Sequence, residues 1–215
     1  MIALNKKTGI NLKKGTSIKL EKEGKPLQHI CIGLNWGAIP RKGILGALIS
    51  SPIAVDLDGA VSSFEDNRLK ETVYFNQLYS RDGAIRHSGD DLTGDLEGDD
   101  GLDNEVITID LSMIEEDVNS LYIFLNSYKG QDFGEIPYSK LRIYEGSPDH
   151  VDEVLATFNL STEEKFSSKV SMIMGKLERK TNGWDFTTIG EPVKPTKIPE
   201  VAWHIKEHYV KGLKR

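Results

Sequence analysis

The chain has 215 residues, of which 38% are hydrophobic and 28% charged, and its formal net charge at pH 7 is -6. This length suits one large domain, or one domain with an appendage, and the lack of a basic stripe argues against nucleic-acid binding, where phosphate neutralisation supplies most of the affinity. A single cysteine, Cys31, excludes an intrachain disulfide, and the lack of a transmembrane-length apolar run or a signal peptide predicts a soluble, cytoplasmic protein.

The first part of the chain alternates apolar and polar residues in short runs, the pattern of half-buried β-strands. Residues 1–12 alternate weakly and predict an edge strand. Residues 16–20 and 29–36 alternate clearly, and the turn-forming segment 23–26 between them predicts that they form a hairpin. Residues 37–52 contain two prolines and three glycines. We interpret them as a surface loop, with an apolar contact surface for a partner as the alternative.

A short strand is predicted over residues 53–57, and it runs into the motif Asp56-Leu57-Asp58-Gly59. Alternate side chains of an extended strand project from one face, so Asp56 and Asp58 would both reach a single ion. Residues 71–75 predict another strand. The motif therefore places a candidate ion site at a strand end.

An acidic, loop-like run follows at residues 86–105, with the sequence RHSGDDLTGDLEGDDGLDNE. Glycines recur through it and only Arg86 adds a positive charge, so its carboxylates repel one another unless a cation lies among them. Hard oxygen ligands on a flexible backbone suit Ca²⁺, which accepts about 6–8 oxygens in variable geometry. A solvated acidic loop is the alternative, but the second acidic motif at residues 56–59 favours a cation site. The spacing does not fit an EF-hand, because Asp100 would stand where that loop needs glycine.

The candidate Ca²⁺ ligands come from both acidic motifs. They are Asp56, Asp58, Asp90, Asp91, Gly94, Asp95, Glu97, Asp99, Asp100, Asp103 and Glu105. His87 is either a residue that orients one carboxylate through a hydrogen bond or a structural histidine at a strand end. Ser88 beside it lacks the surroundings of a nucleophile elbow, so we predict no hydrolase there.

The second half of the chain again contains short apolar runs. Strands are predicted at residues 105–111, 120–127, 141–145, 153–159, 169–179 and 184–189. No helices alternate with these strands, which argues against βαβ units. The sequence therefore predicts an all-β protein, a two-sheet β-sandwich of about ten strands with acidic Ca²⁺-binding loops and a short C-terminal helix.

The composition changes after Glu191, where prolines punctuate residues 191–200. Because proline is excluded from central strands, we predict a sandwich domain over residues 1–191 and a proline-rich linker with an amphipathic helical tail over residues 192–215. Residues 200–210 have the apolar spacing of a helix that begins near Pro199.

The predicted helix also contains a histidine pattern. His204, Glu207 and His208 match H-x-x-E-H of zinc peptidases, with both histidines on one helix face. Only seven residues follow, too few for a distant third ligand. We therefore favour a docking helix and keep a metal-dependent hydrolase, using Ca²⁺ or a tail zinc ion, as the alternative function.

Several motifs recur in a fixed order along the chain. They are LKKGTSIKL at residues 12–20, IGLNW at 32–36, DLDGA at 56–60, HSGDDLTG at 87–94, EGDD at 97–100, NEVITIDL at 104–111 and GWDFTTIGE at 183–191. Together they resemble the tellurium-resistance (TerD-type) protein family. The chain departs from the family pattern at Gly59 and at residues 101–104, which intervene before Glu105. This insertion leaves open which of Asp99, Asp100, Asp103 and Glu105 bind the ion.

The resemblance implies a β-sandwich that binds Ca²⁺ in its acidic loops and is linked to tellurite resistance and general stress responses. It implies no particular catalytic activity, and we expect a non-enzymatic binding module. The expected partners are calcium ions and proteins of a stress-response complex. Any membrane association is expected through those proteins, and no nucleic acid is expected.

Overall fold

The computed structural model describes residues 9–41, 51–161 and 166–211. Its strands before the middle of the chain are β1 (Ile10–Leu12), β2 (Ser17–Lys19), β3 (Glu21–Lys22), β4 (Lys25–Pro26), β5 (His29–Trp36), β6 (Leu57–Glu65), β7 (Arg68–Val73) and β8 (Ile85–His87). Those after it are β9 (Glu105–Asp110), β10 (Ser120–Ser127), β11 (Tyr138–Ser147), β12 (His150–Ser161), β13 (Ser171–Lys180) and β14 (Gly183–Val193). The helix α1 (Ile198–Ile205) follows and continues into a π-helical turn at Lys206–Val210. No helix in these ranges is long and apolar enough to cross a membrane.

Two six-stranded sheets make up the sandwich, and β3 and β4 form a separate two-stranded sheet. The first has the strand order β1-β12-β11-β5-β9-β8, and the second has the order β2-β14-β13-β10-β6-β7. Neighbouring strands are antiparallel, except that β1 runs parallel to β12. The predicted all-β, two-sheet architecture is confirmed.

The core lies between the two sheets. Ile32 and Leu34 of β5, in the first sheet, belong to the same buried cluster as Leu121, Ile123 and Leu125 of β10, in the second. Alternate residues of a strand face opposite sides, so this cluster uses one face of each strand. Burial of these alternating side chains is the main stabilising contribution of the sandwich.

The outer face of the second sheet is covered by the C-terminal helix. Tyr122 and Phe124, on the opposite face of β10, form a second buried cluster with Val201 and Ile205 of α1. Every residue of β10 is consequently buried. This two-sided burial explains why the five central residues of β10, LYIFL, are apolar without alternation.

Two strand predictions in the first half need correction. Residues 16–20 and 29–36 do not form a hairpin, because β2 pairs with β14 in the second sheet whereas β5 lies in the first. The predicted turn instead closes the short β3–β4 hairpin. The strand predicted at residues 53–57 begins at Leu57 and continues to Glu65. The predicted edge strand is present as β1, while residues 1–8 and 42–50 lie outside the described ranges.

The predicted boundary at Glu191 falls inside β14, which continues to Val193. Pro192 pairs with Met172 of β13 on one side. On the other side, β2 pairs only with residues 185–187, so this end of β14 is an edge, where a proline without an N–H group is tolerated. The segment that joins the sheet to α1 is therefore shorter than predicted.

Candidate metal centre

Three carboxylates meet at one end of the sandwich. Asp56 immediately precedes β6, Asp58 is the second residue of that strand, and Asp90 lies in the loop that follows β8. One ligand oxygen from each lies within 4.8 Å of those of the other two. Asp56 and Asp58 are each only 2% exposed, whereas Asp90 is open to solvent. Across the described ranges, this is the one group of three acidic, histidine or cysteine side chains arranged closely enough to hold an ion.

The carboxylate of Asp58 lacks a partner inside this group. Its Oδ2 atom is buried and accepts no hydrogen bond. Burial, followed by the negative charges of Glu105 and Asp56, raises the pKa of Asp58 to about 8. Burial and the charge of Asp56 also raise the pKa of Asp90. A cation among these oxygens would supply the missing partner and would favour the ionised carboxylates.

Lys129, in the loop after β10, partly balances the negative charge of the three carboxylates. Its Nζ lies 3.0 Å from Asp56 Oδ2, and its side chain is 54% exposed. A lysine ammonium is strongly hydrated and sits on a flexible stem, so it can turn into solvent when an ion enters. Nothing in the sequence marked Lys129, because it is remote from both acidic motifs along the chain.

Behind the three carboxylates lies a buried network built on Glu105. Glu105 Oε2 accepts a 2.6 Å hydrogen bond from the Gly59 amide, and Glu105 Oε1 accepts one of 3.3 Å from the Asp91 amide. His87 Nδ1 accepts from the Gly89 amide, so Nε2 carries the proton. That nitrogen lies 3.1 Å from the Gly59 carbonyl oxygen and 3.3 Å from Glu105 Oε2. His87 therefore orients Glu105. Burial raises the pKa of Glu105, and the hydrogen bond from His87 opposes that rise.

Gly59 is required by the close approach of its backbone to this network. A Cβ atom at Gly59 would lie 2.5 Å from Leu34 Cδ1 and 2.7 Å from Glu105 Oε2. We expect Gly59→Ala to displace both side chains and to lower the free energy of unfolding by about 1–3 kcal/mol, the usual cost of overpacking. Urea denaturation of the calcium-free protein measures this loss.

A double-mutant cycle identifies the contact responsible. Leu34→Ala removes the nearer of the two clashing atoms, so the losses caused by Gly59→Ala and Leu34→Ala should sum to more than the loss in the double variant. Strictly additive losses, or no loss in Gly59→Ala, would contradict this account.

Asp95 is fixed by a network of its own, although it lies in the acidic run. Its Oδ2 accepts hydrogen bonds from Tyr138 Oη at 2.6 Å and from Asn35 Nδ2 at 2.9 Å. Its Oδ1 accepts one of 3.1 Å from Asn104 Nδ2. This part of the run is thus anchored to β5 and β11, and both oxygens of Asp95 already have partners.

Two further acids of the run are neutralised by cations of β11. Arg142 Nε lies 2.6 Å from Asp103 Oδ1, and Lys140 forms an ion pair with Asp99. The two basic residues alternate along the strand and therefore share one face. The expectation that only Arg86 offsets the acidic run needs correction, because these cations come from a strand distant in sequence. In the sequence, the alternation of Lys140 and Arg142 indicates only that they share a face, not that this face meets the acidic run.

The remaining predicted ligands have separate positions. Asp91 Oδ1 accepts the amide hydrogens of Thr93 and Gly94 at 2.8 Å, which caps a turn. Asp100 Oδ1 accepts the Leu102 amide in the same way. Glu97 is exposed. Gly94 has φ +62° and packs under Trp36, so no larger residue fits there. The structure thus brings together three residues of the predicted set and distributes the others over the loop.

The C-terminal helix does not bring His204, Glu207 and His208 together as a zinc site, the alternative that the histidine pattern suggested. The rings of His204 and His208 are neighbours, with centroids 4.3 Å apart. Glu207 instead pairs with Lys211 at 2.6 Å. Burial, and then His208, lower the pKa of His204. No third ligand completes this pair in the described part of the chain.

Comparison with known proteins agrees with this architecture. The TerD domain model matches residues 8–202. Tellurium resistance protein TerZ of Serratia marcescens is 32% identical over 193 residues, covering 89% of this chain and 94% of that protein. Stress response protein SCP2 of Bacillus subtilis (strain 168) is 31% identical over 204 residues, covering 89% and 96% respectively.

A solved structure shows the same fold. The crystal structure of a homologue of telluride resistance protein (TerD) from Streptomyces coelicolor A3(2) superposes with a TM-score of 0.58. It covers 80% of this chain and 94% of its own at 15% identity. The family match extends past Glu191 into α1, in line with the packing of that helix on the second sheet. The chain belongs to the TerD domain family of tellurium-resistance and stress-response proteins.

Proposed function

We propose that this protein is a Ca²⁺-binding, non-enzymatic module of the tellurium-resistance and stress-response family, acting in the cytoplasm through protein partners. Its principal ion site consists of Asp56, Asp58 and Asp90. The observation that carries the proposal is the buried, unpartnered Oδ2 of Asp58 inside a group of three carboxylates. A buried acceptor left without a partner costs about 1–3 kcal/mol, which a bound cation would remove.

The donor set favours calcium over the other common metals. All three side chains offer hard oxygen atoms and no nitrogen or sulfur, the pattern preferred by Ca²⁺ and Mg²⁺ rather than Zn²⁺. Asp90 lies on a glycine-rich loop, which permits the variable geometry of Ca²⁺ more readily than the strict octahedron of Mg²⁺. The open side at Asp90 leaves room for water ligands.

The other predicted ligands differ in whether side chains of neighbouring strands already bind them. Asp95, Asp99 and Asp103 are engaged by side chains of neighbouring strands. Asp91, Glu97 and Asp100 are the acids of the run that remain for a weaker second ion. We therefore propose one principal site and assign the rest of the run a secondary role.

The surroundings of His87 support a non-enzymatic role. Both of its ring nitrogens are engaged, Nδ1 by the Gly89 amide and Nε2 by Gly59 and Glu105. The adjacent Ser88 Oγ accepts the Val106 amide. A catalytic serine needs a neighbouring base that takes its proton, and this histidine points elsewhere. His87 and Ser88 therefore give no support to the alternative of a metal-dependent hydrolase.

Calcium is expected to raise the melting temperature of the protein. Because the ion binds only the folded arrangement, a concentration about 100 times the Kd adds about 2.7 kcal/mol of stability. For a chain of this size that corresponds to roughly 5–10 °C. Thermal unfolding in EGTA and in millimolar Ca²⁺ measures the shift.

Magnesium at the same concentration is the matched control and should raise the melting temperature less, since Mg²⁺ gives up its water reluctantly. Identical melting curves in EGTA and Ca²⁺ would refute the proposed function. An equal rise with both ions would indicate general screening of the acidic loop.

A further inference from the structure

Two histidines lie side by side at the C-terminal end of the helix that covers the second sheet. His204 belongs to the last turn of α1, and His208 belongs to the π-helical turn that continues it. Their ring centroids are 4.3 Å apart, and the ring planes are inclined by 40°. The other histidines of the chain, His29, His87 and His150, lie on separate strands, β5, β8 and β12. The end of the helix is therefore where imidazole groups come together.

The π-helical turn explains why the two rings are neighbours. In a regular α-helix, residues four apart are offset by about 40° around the helix axis. A π turn contains more residues, because its hydrogen bonds span five residues, as in the bond from the Lys211 amide to the Lys206 carbonyl oxygen. It therefore reduces the offset and places His208 over His204. Single π turns are rare in helices and occur frequently at functional sites.

The surroundings of the pair admit a cation. His208 is exposed and His204 is partly exposed, so a hydrated ion can reach both rings. The negative charge of the Glu191 carboxylate, on β14, acts on His204. The ammonium group of Lys211, which would repel a cation, is paired with the Glu207 carboxylate at 2.6 Å. The charges near the two rings therefore do not oppose a bound metal ion.

We propose that His204 and His208 form a two-histidine site for a divalent transition-metal ion, with Cu²⁺ preferred over Ni²⁺ and Zn²⁺. Imidazole nitrogen suits these ions, and the affinity of a given nitrogen site is highest for Cu²⁺. A metal–nitrogen bond is about 2.0–2.1 Å long, so one ion bridges two nitrogens up to about 4 Å apart, which neighbouring rings can offer. Water completes the coordination. This site goes beyond the proposed function, because its nitrogen ligands select a different class of metal from the carboxylates of the calcium centre.

The bound ion would fix the end of the covering helix and would not catalyse hydrolysis. Glu207 holds a lysine, so it is not free to activate a water molecule as a general base. The turn that the ion would connect to α1 packs on the second sheet. Its Tyr209 ring lies 6.2 Å from Tyr122 of β10, and Val210 belongs to the same buried cluster. Linking one histidine of α1 to one of this turn would therefore stabilise the packing of the helix end.

Isothermal titration of Cu²⁺ into the untagged full-length protein measures this site directly. Millimolar Ca²⁺ in the buffer occupies the three-carboxylate centre and keeps copper from competing for it. We expect one Cu²⁺ per chain, bound more tightly than Ni²⁺ or Zn²⁺. Electron paramagnetic resonance of the copper-loaded protein should show two coordinated nitrogen atoms.

Single histidine variants test which residues bind the ion. His208→Ala removes an exposed ligand and should weaken Cu²⁺ binding at least about tenfold, leaving one coordinated nitrogen. His204→Ala should have the same effect. His150→Ala is the matched control, because it makes the same change at an exposed histidine that faces Asp152 instead of a second histidine. This control should leave the affinity and the two-nitrogen signal unchanged.

Copper binding with two nitrogens that both helix variants disrupt would support the proposal. A signal from fewer than two nitrogens in the native protein, or equal losses in His208→Ala and His150→Ala, would overturn it. Melting curves of His208→Ala in EGTA and in Ca²⁺ separate this site from the calcium centre, since the Ca²⁺-induced rise should persist in that variant. Failure of the histidine site would thus leave the calcium proposal standing, and the reverse also holds.

Discussion

Asp58→Asn is expected to raise the melting temperature of the protein in EGTA and to abolish the further rise that Ca²⁺ produces. The substitution removes a carboxyl group whose ionised form is disfavoured in the calcium-free fold, first by burial and then by the charges of Glu105, Asp56 and Asp90. Relief of about 1–2 kcal/mol, the scale of one unsatisfied buried group, corresponds to a rise of about 2–8 °C. The same change removes a buried carboxylate from the candidate ion site. Calorimetric titration should therefore show the largest loss of Ca²⁺ affinity for this variant.

The pH dependence of stability gives this prediction a second measurement. Because the folded pKa of Asp58 is raised to about 8, its protonated form stabilises the calcium-free fold below the unfolded pKa of about 4. That contribution is lost as the pH rises between these two values. The unfolding free energy of the native protein in EGTA should therefore fall across this window, and Asp58→Asn should flatten that fall.

Charge-removing substitutions at exposed positions test whether Ca²⁺ affinity depends on the geometry of the three-carboxylate group or on the total charge of the loop. Glu97→Gln removes one charge from an exposed position of the acidic run and should change both Ca²⁺ affinity and melting temperature little. Asp90→Asn removes a member of the three-carboxylate group and should approach Asp58→Asn in its loss of affinity. Equal, small losses from all three variants would mean that the loop only attracts counterions.

The strands that alternation predicted well are those with large side chains. β5 and β10 were predicted over their observed residues, since Ile, Leu, Tyr and Phe dominate them. Most of β6 was missed because Gly59, Ala60 and two serines dilute the β-forming pattern. Pairing was harder still, because β2 and β5 are neighbours in sequence but belong to different sheets. Local pattern identifies a strand, whereas its partner depends on contacts between distant segments.

The candidate ion site was likewise predictable only in part. Asp56 and Asp58 could be predicted because one motif places them at a strand end, and Asp90 because of the acidic run. The partners that occupy Asp99 and Asp103 could not, because Lys140 and Arg142 reach the loop from β11. A run of acids in sequence therefore overstates the number of carboxylates available to a metal.

The largest loss of stability is expected for a substitution at a buried position of α1. Val201 is fully buried against Phe64, Tyr122 and Phe124 on the outer face of the second sheet. Val201→Asp would place a carboxylate in that apolar cluster, where no cation is available among its members. Burying such a group costs about 3 kcal/mol or more, so the melting temperature should fall by about 10 °C.

Trp203→Asp is the matched control on the same helix. Trp203 is 59% exposed, so the same new charge there remains in water and should shift the melting temperature by no more than about 2 °C.

A chain that ends at Glu191 is the more drastic test, because it loses the end of β14 together with the helix that covers the second sheet. The domain boundary predicted at Glu191 implies that this shorter chain stays folded and binds Ca²⁺, whereas the packing of Val201 and Ile205 predicts exposed apolar surface and aggregation. Native-like melting of the shortened chain, or equal effects of Val201→Asp and Trp203→Asp, would mean that the helix is a separable tail.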